Sequence, residues 1–329
     1  INRLFGPTSN VYDFSKSAAG SSGGASSAFA AGLLPFADGT DQMGSCRGPA
    51  AYANIYGFRP TPGLISVDRT GQNFGLPILT TPGCFARNPG DMSILLDEIV
   101  GSNPFDKFSF DLNGLFKNQN INEKKFSNFK IGWLSNMNGE YNIDKDILEI
   151  CEKKLKDLEK LNVKIEFLKP EINTDLLWKS WTTFRAKSIY QDTLKMNISD
   201  INSMTYQAIW EYNKGKEIKS EDLQLALDQK QQCLKQLNLT FGNFDFLALP
   251  SAQIFPFDKS LQFPKNINNI ELDTYHRWLE IFILSSLLEL PTITIPIGFN
   301  KDNMPMGMQI IARNRDDLKL FSFAHMYEE

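Results

Sequence analysis

Two serine-bearing glycine turns, GSSGG at residues 20–24 and GTDQMGSCRG at 39–48, set Ser21 and Ser45 24 positions apart. The residues between them are mostly small or apolar. Glycine lacks the Cβ that restricts the backbone, so such turns can aim several N–H groups at one point. A serine hydroxyl is a nucleophile, and converging N–H groups can stabilise the oxyanion formed when it attacks a carbonyl. The pattern therefore points to a reaction centre rather than a structural loop. Plainer readings stand beside it. Turn serines commonly cap helices or brace the turn itself. Gly20 to Gly24 also fits a G-x-S-x-G nucleophile elbow centred on Ser22, a motif that needs a hydrophobic strand before it. Residues 10–19 are not such a strand. The base would have to be His276, which sits beside Tyr275 and Trp278 at the start of an apolar helix, where a hydrogen-bonded, partly buried role is expected. No phosphate-loop or dinucleotide fingerprint follows the glycines.

These turns need rigid supports. Gly24 to Gly32 has small, helix-compatible residues, so a glycine turn feeding a short buried helix is expected. Leu33 to Ala37 then reads as a short strand delivering Gly39, Thr40 and Asp41. Met92, Leu95, Leu96 and Ile99 share one face of a helix over 91–100. Residues 103–128 read as a loop or linker, and 130–134 as a strand. Over 146–161, Ile147, Ile150, Cys151, Leu155, Leu158 and Leu161 form the apolar stripe of an amphipathic helix. Val163, Ile165 and Phe167 alternate with charges as in a half-buried strand. Residues 175–240 are mainly helical, with Trp178, Trp181, Phe184, Tyr190, Trp210 and Tyr212 as core or pocket aromatics. Strands are expected at 244–249, 292–297 and 308–311, and a closing helix at 316–329. This alternation predicts an α/β architecture.

Composition narrows the function class. The 329 residues suffice for one large domain or two ordinary ones, and 42% hydrophobic with 22% charged content fits a globular chain. A net charge of −4 argues against direct nucleic-acid binding. Four cysteines without a C-x-x-C pair and only two histidines argue against disulfides, a metal site or a metal cofactor. No apolar run reaches membrane-spanning length. Residues 281–288 read as a buried helix. The chain starts at Ile1 without a Met and stops at Glu329 inside a helical pattern, as a fragment clipped at both ends would. A targeting signal is not legible, and a cytoplasmic location is the expectation.

GSSGG followed by GTDQMGSCRGPA and YGFRPTPGLIS resembles the amidase signature family of serine hydrolases. The likeness continues in TPGCFAR at 81–87, with Asp91 beyond it, and in ELPTITIPIGFNKDNMPMGMQIIARNRDD at 289–317. The resemblance implies one amidase domain over residues 1–329, truncated at the N-terminus and a little at the C-terminus. It implies the amidase signature fold, a mixed twisted β-sheet core covered by helices on both sides. By the same resemblance Ser45 is the acylated nucleophile, and Ser21 is the bridging serine, held after a cis peptide bond. The backbone N–H groups of Gln42, Met43, Gly44 and Ser45 make the oxyanion hole. Asp41 and Arg47 pin that loop by an ion pair or backbone hydrogen bonds, and Ser22 supports Ser21 or the oxyanion region. A neutral lysine takes the proton relayed from Ser45 through Ser21.

In the family that lysine lies well upstream of the glycine turn. Lys16 is too near, so the triad is incomplete in this sequence. Met43 stands where many members carry glycine, Gly48 where a larger residue is common, and Cys84 where proline is usual. The implied reaction is hydrolysis of a small linear carboxamide through an acyl-serine, without a cofactor and with a homodimer as an admissible assembly. Two alternatives remain. One is a glutaminase like the catalytic chain of a tRNA-dependent amidotransferase, working with partner subunits, although Gln42-Met43 stands where that chain usually has Thr-Gly. The other is a non-catalytic binding fragment.

Overall fold

A computed structural model describes residues 4–69, 76–117, 129–196, 198 and 200–328. Residues 118–128 of the expected loop, and Glu329, lie outside the described residues. The chain opens with α1 (Gly23–Ala30), β1 (Ala37–Asp41), α2 (Arg47–Ala53), β2 (Tyr56–Arg59), β3 (Thr81–Ala86) and α3 (Pro89–Ile99). It continues through β4 (Lys130–Trp133), α4 (Lys145–Lys160) and β5 (Lys164–Phe167). Three helices follow, α5 (Thr174–Lys195), α6 (Tyr206–Glu217) and α7 (Ser220–Phe241). The last part holds β6 (Phe246–Pro250), a ribbon of β7 (Asn266–Ile267) and β8 (Ile270–Glu271), α8 (Ile283–Leu287), β9 (Thr292–Phe299), β10 (Pro305–Ile311) and α9 (Asp317–Glu328).

Eight strands form one mixed sheet in the order β1-β3-β2-β9-β10-β6-β4-β5. From β1 through β6 neighbours run antiparallel, whereas β4 is parallel to both β6 and β5. Helices flank this sheet, giving the expected mixed α/β fold. The central strands are nearly continuous apolar runs because both faces are covered; all seven positions of β10 are buried. Asp144 caps α4 by accepting from the Asp146 amide, and its stripe of Ile147, Cys151, Leu155 and Leu158 turns inward.

Helix α2 is the element that matters for the serines. All seven of its residues are buried. Small side chains let it lie directly on the sheet: a Cβ added to Gly57 would collide with Ala50 Cβ.

Two local expectations change. Strand β1 starts at Ala37, not Leu33, and Leu33 and Phe36 are exposed; Pro35 has no N–H for a ladder. Phe167 is 61% exposed because β5 is an edge strand. Residues 281–288 are buried and helical as expected, the end of a 3₁₀ turn, Arg277–Phe282, running into the short helix α8. All four cysteines are free and buried. No helix among the described residues is long and apolar enough to cross a membrane.

Candidate active site

Ser45 closes the bend that links β1 to α2, and it is half-buried there. The bend is anchored by Asp41, the last residue of β1. Asp41 Oδ1 accepts the Gly44 amide at 2.9 Å, and Oδ2 accepts the amides of Cys46 at 3.2 Å and Arg47 at 3.4 Å. Arg47 grips the same carboxylate, Nε to Oδ2 at 3.0 Å and Nη2 to Oδ1 at 2.8 Å. Its remaining N–H groups reach Gln309 Oε1 at 2.6 Å, Ser286 Oγ at 2.8 Å and the Phe282 carbonyl at 3.2 Å. Arg59 adds a second cation, donating to the Asp41 carbonyl and, at 3.5 Å, to Oδ1. Burial alone would raise the Asp41 pKa, but the two guanidiniums and the amide donors outweigh it and hold the carboxyl well below its usual range. Burial lowers Arg59 to about 10, against the pull of Asp41.

Gly44 has φ +82, and the Phe282 ring occupies the place that a Cβ would take. Only glycine meets both conditions. The Gly44 amide is committed to Asp41, which corrects the expectation that it points at an oxyanion. The amides of Gln42, Met43 and Ser45 take no acceptor among the described residues. Backbone N–H groups in a folded interior are nearly always paired. Three such N–H groups within four residues are open beside Ser45.

Ser21 is exposed and follows a cis Gly20–Ser21 peptide bond. Ser22 exchanges two hydrogen bonds with the Thr40 backbone, each 3.3 Å, and so ties the start of α1 to β1; its partner is not Ser21. A Cβ on Gly39 would lie 2.7 Å from Ser22 Oγ and 3.0 Å from Cys46 Sγ. The residues that follow Ser21 and Ser45 thus abut the same glycine, which sets the two turns side by side. The Ser21 and Ser45 hydroxyls hydrogen-bond neither each other nor another group among the described residues. No lysine among the described residues bonds to Ser21; Lys16 pairs with Asp258 through the backbone, in an isolated antiparallel β-bridge.

A second polar cluster reaches the bend from the helical region. Arg185 on α5 donates one Nη1–H to Gln42 Oε1. Its Nε and Nη2 meet Glu211 of α6 at 2.5 and 3.2 Å. Glu211 also accepts from Tyr275 at 3.2 Å and lies 3.0 Å from His276 Nε2. Burial opposes the Glu211 charge, yet His276 and Arg185 bring its pKa down to about 2. Burial lowers the His276 pKa despite Glu211. His276 is therefore a buried, hydrogen-bonded histidine. It lines a cavity of about 320 Å³ with Trp178, Trp181 and Trp210.

Sequence reasoning did not single out Arg59, Phe282, Arg185, Glu211 or Gln309 for the site. Arg59 and Gln309 lie inside quoted motifs. Arg185 and Glu211 lie in helices without any motif, so nothing local marks them. No group of three or more His, Cys, Asp or Glu among the described residues is arranged to hold a metal ion.

The model of the Amidase family matches residues 1–321. The A chain of the glutamyl-tRNA(Gln) amidotransferase of Saccharolobus solfataricus is 27% identical over 357 residues, covering 98% of this chain and 70% of that protein. Its counterpart in Picosynechococcus is 28% identical over 358 residues, with the same two coverages of 98% and 70%. The structure of a bacterial aryl acylamidase of the amidase signature family aligns with a TM-score of 0.86 at 23% identity, over 98% of this chain and 68% of that one. A 6-aminohexanoate cyclic dimer hydrolase bound to substrate aligns at 0.84 and 22%, over 99% and 70%. At these identities the two structures speak for the fold. With its family model matched from residue 1 to 321 and its sheet shared with these enzymes, the chain belongs to the amidase signature family, whose chemistry is the breaking of carbon–nitrogen amide bonds.

Proposed function

We propose that this chain hydrolyses a linear carboxamide through an acyl intermediate on Ser45. Ser45 Oγ attacks the amide carbonyl carbon while its proton passes to Ser21 Oγ, which gives its own proton to a base. The carbonyl oxygen, now negative, enters the bend lined by the Gln42, Met43 and Ser45 amides. The C–N bond then breaks as a proton returns along the relay to the leaving nitrogen, and water cleaves the acyl ester. The base is a lysine that we assign to no residue of this chain. Catalytic hydrogen bonds commonly tighten only with substrate in place, so the open hydroxyl pair is compatible with the relay.

One observation carries this reading: three amides without acceptors beside a half-buried serine. Each such donor is worth roughly 3–4 kcal/mol to a transition state. The test is labelling by a fluorophosphonate. Ser45 in the intact protein should be modified, and labelling that persists in Ser45→Ala would remove the assignment.

A second reading is favoured by the curated relatives, which are amidotransferase chains at 27–28% identity. In it the same Ser45 chemistry releases ammonia from glutamine, in company with partner subunits. Assaying ammonia from glutamine against amine from simple anilides separates the two. Ammonia from glutamine alone would favour the amidotransferase reading.

A further inference from the structure

The side chain of Gln42 has two ends, and only one is occupied. Its Oε1 accepts from Arg185 Nη1, while its Nε2 has no acceptor among the described residues. An amide held by its carbonyl cannot flip, because a guanidinium offers only donors. Arg185 itself cannot turn away. Its other edge is locked on Glu211, a 3%-exposed carboxylate that accepts from Arg185 Nε, Arg185 Nη2 and Tyr275 and faces His276 Nε2. Four separated chain segments, at residues 42, 185, 211 and 275–276, thus fix one carboxamide in one orientation.

Gln42 also lines a cavity of about 300 Å³, together with Leu79, Phe108, Gln191 and Lys195. Arg185 does not line that cavity; it lines the aromatic one on its other side. The two ends of a carboxamide diverge, so the end opposite Arg185 is the one available to the cavity. The same residue contributes one of the open amides beside Ser45.

We propose that Gln42 is a specificity-determining residue, held by Arg185, whose side-chain N–H group bonds an acceptor on the substrate a few atoms from the reacting carbonyl. The favoured substrates are then amides that carry a second oxygen, as a ketone, hydroxyl or carboxyl group, and not plain hydrocarbon chains. This rests on the Ser45 reading and deepens it. A site built to donate a hydrogen bond discriminates against an analogue that leaves the donor unpaired. Arg185 is a positioning residue in this account, because it acts through Gln42.

The test compares Ser45 labelling rates for two fluorophosphonates that differ only in a pentyl or a 4-oxopentyl chain. In the wild type the oxo probe should react faster, on the order of tenfold, the effect of one hydrogen bond. Gln42→Glu keeps an acceptor for Arg185 but has no N–H donor when ionised. It should bring the two rates within about twofold of each other. Arg185→Met should do the same by releasing the carboxamide, and the intact fold of each variant is checked by thermal unfolding. Equal wild-type rates, or a preference that survives Gln42→Glu, would overturn the Gln42 role and leave Ser45 as nucleophile. A wild type that neither probe labels would overturn the Ser45 reading and this one together.

Discussion

The carboxylate of Asp41 and the guanidinium of Arg47 meet edge to edge, at 2.8 and 3.0 Å, with neither side chain exposed. That pair joins the end of β1 to the start of α2 across the bend that holds Ser45. Arg47 also ties the bend to Phe282, Ser286 and Gln309, more than 230 residues away in sequence. The bend is therefore held by the same bonds that join α2 to β10 and to the buried turn and helix before β9.

Arg47→Met should cost about 3–5 kcal/mol of stability, since it leaves a buried carboxylate with one fewer cation and strands several acceptors. Arg47→Lys should recover only part of this, because an ammonium cannot reproduce the two-point contact. Urea unfolding midpoints measure both. A lysine variant as stable as the wild type would contradict the geometry.

Gly44→Ala should fail for two reasons, the positive φ and the Phe282 ring. Phe282→Ala removes only the second, at its own cost of about 3–5 kcal/mol. In a double-mutant cycle the two changes should be markedly less than additive. Strict additivity would mean that the ring does not enforce glycine there.

Ser21→Ala should lower turnover by orders of magnitude. Ser21 is exposed and makes no hydrogen bond among the described residues, so stability should change by no more than about 0.5 kcal/mol. Steady-state kinetics and thermal melts on the same preparation read the two effects. Near-normal turnover in this variant would refute the bridging role.

Asp317 should give the protein a pH-dependent stability unrelated to catalysis. It is fully buried and accepts from the Thr61 amide at 2.9 Å and the Thr61 hydroxyl at 2.6 Å. Burial raises its pKa from 3.8 to about 6, with the Thr61 bonds opposing. Between those values the folded chain holds the proton more tightly than the unfolded one, so stability falls as pH rises through the window. The loss is on the order of 3 kcal/mol, at about 1.4 kcal/mol per tenfold change in proton affinity. In Asp317→Asn the slope should become shallower in urea titrations at pH 4, 5 and 6, with Glu280, raised to about 7 by burial, supplying part of what is left. An unchanged slope would assign it to other groups.

Much of the scaffold was legible in the chain because its signals are local. The amphipathic period of α4, the apolar runs of β9 and β10 and the small residues of α1 each follow from near neighbours. The misplacements differ in cause: Pro35, legible in the sequence, keeps Leu33 to Phe36 out of the ladder, whereas the exposure of Phe167 depends on β5 lying at the sheet edge, which spacing does not carry. The turns holding Ser21 and Ser45 stood out by glycine content. Which amides those turns leave open did not, because Asp41 takes Gly44 and passes over Met43 through a geometry set in three dimensions.

By itself the sequence determined the chemistry on offer: two hydroxyls, a bend of small residues and an acid–base pair six residues apart at Asp41 and Arg47. Tertiary structure decided how that chemistry is aimed. The bond from Arg185 to Gln42 joins residues 143 positions apart, and the ring under Gly44 arrives from Phe282. Such contacts arise only when the helices and the sheet pack together, since no local propensity links residues so distant in the chain.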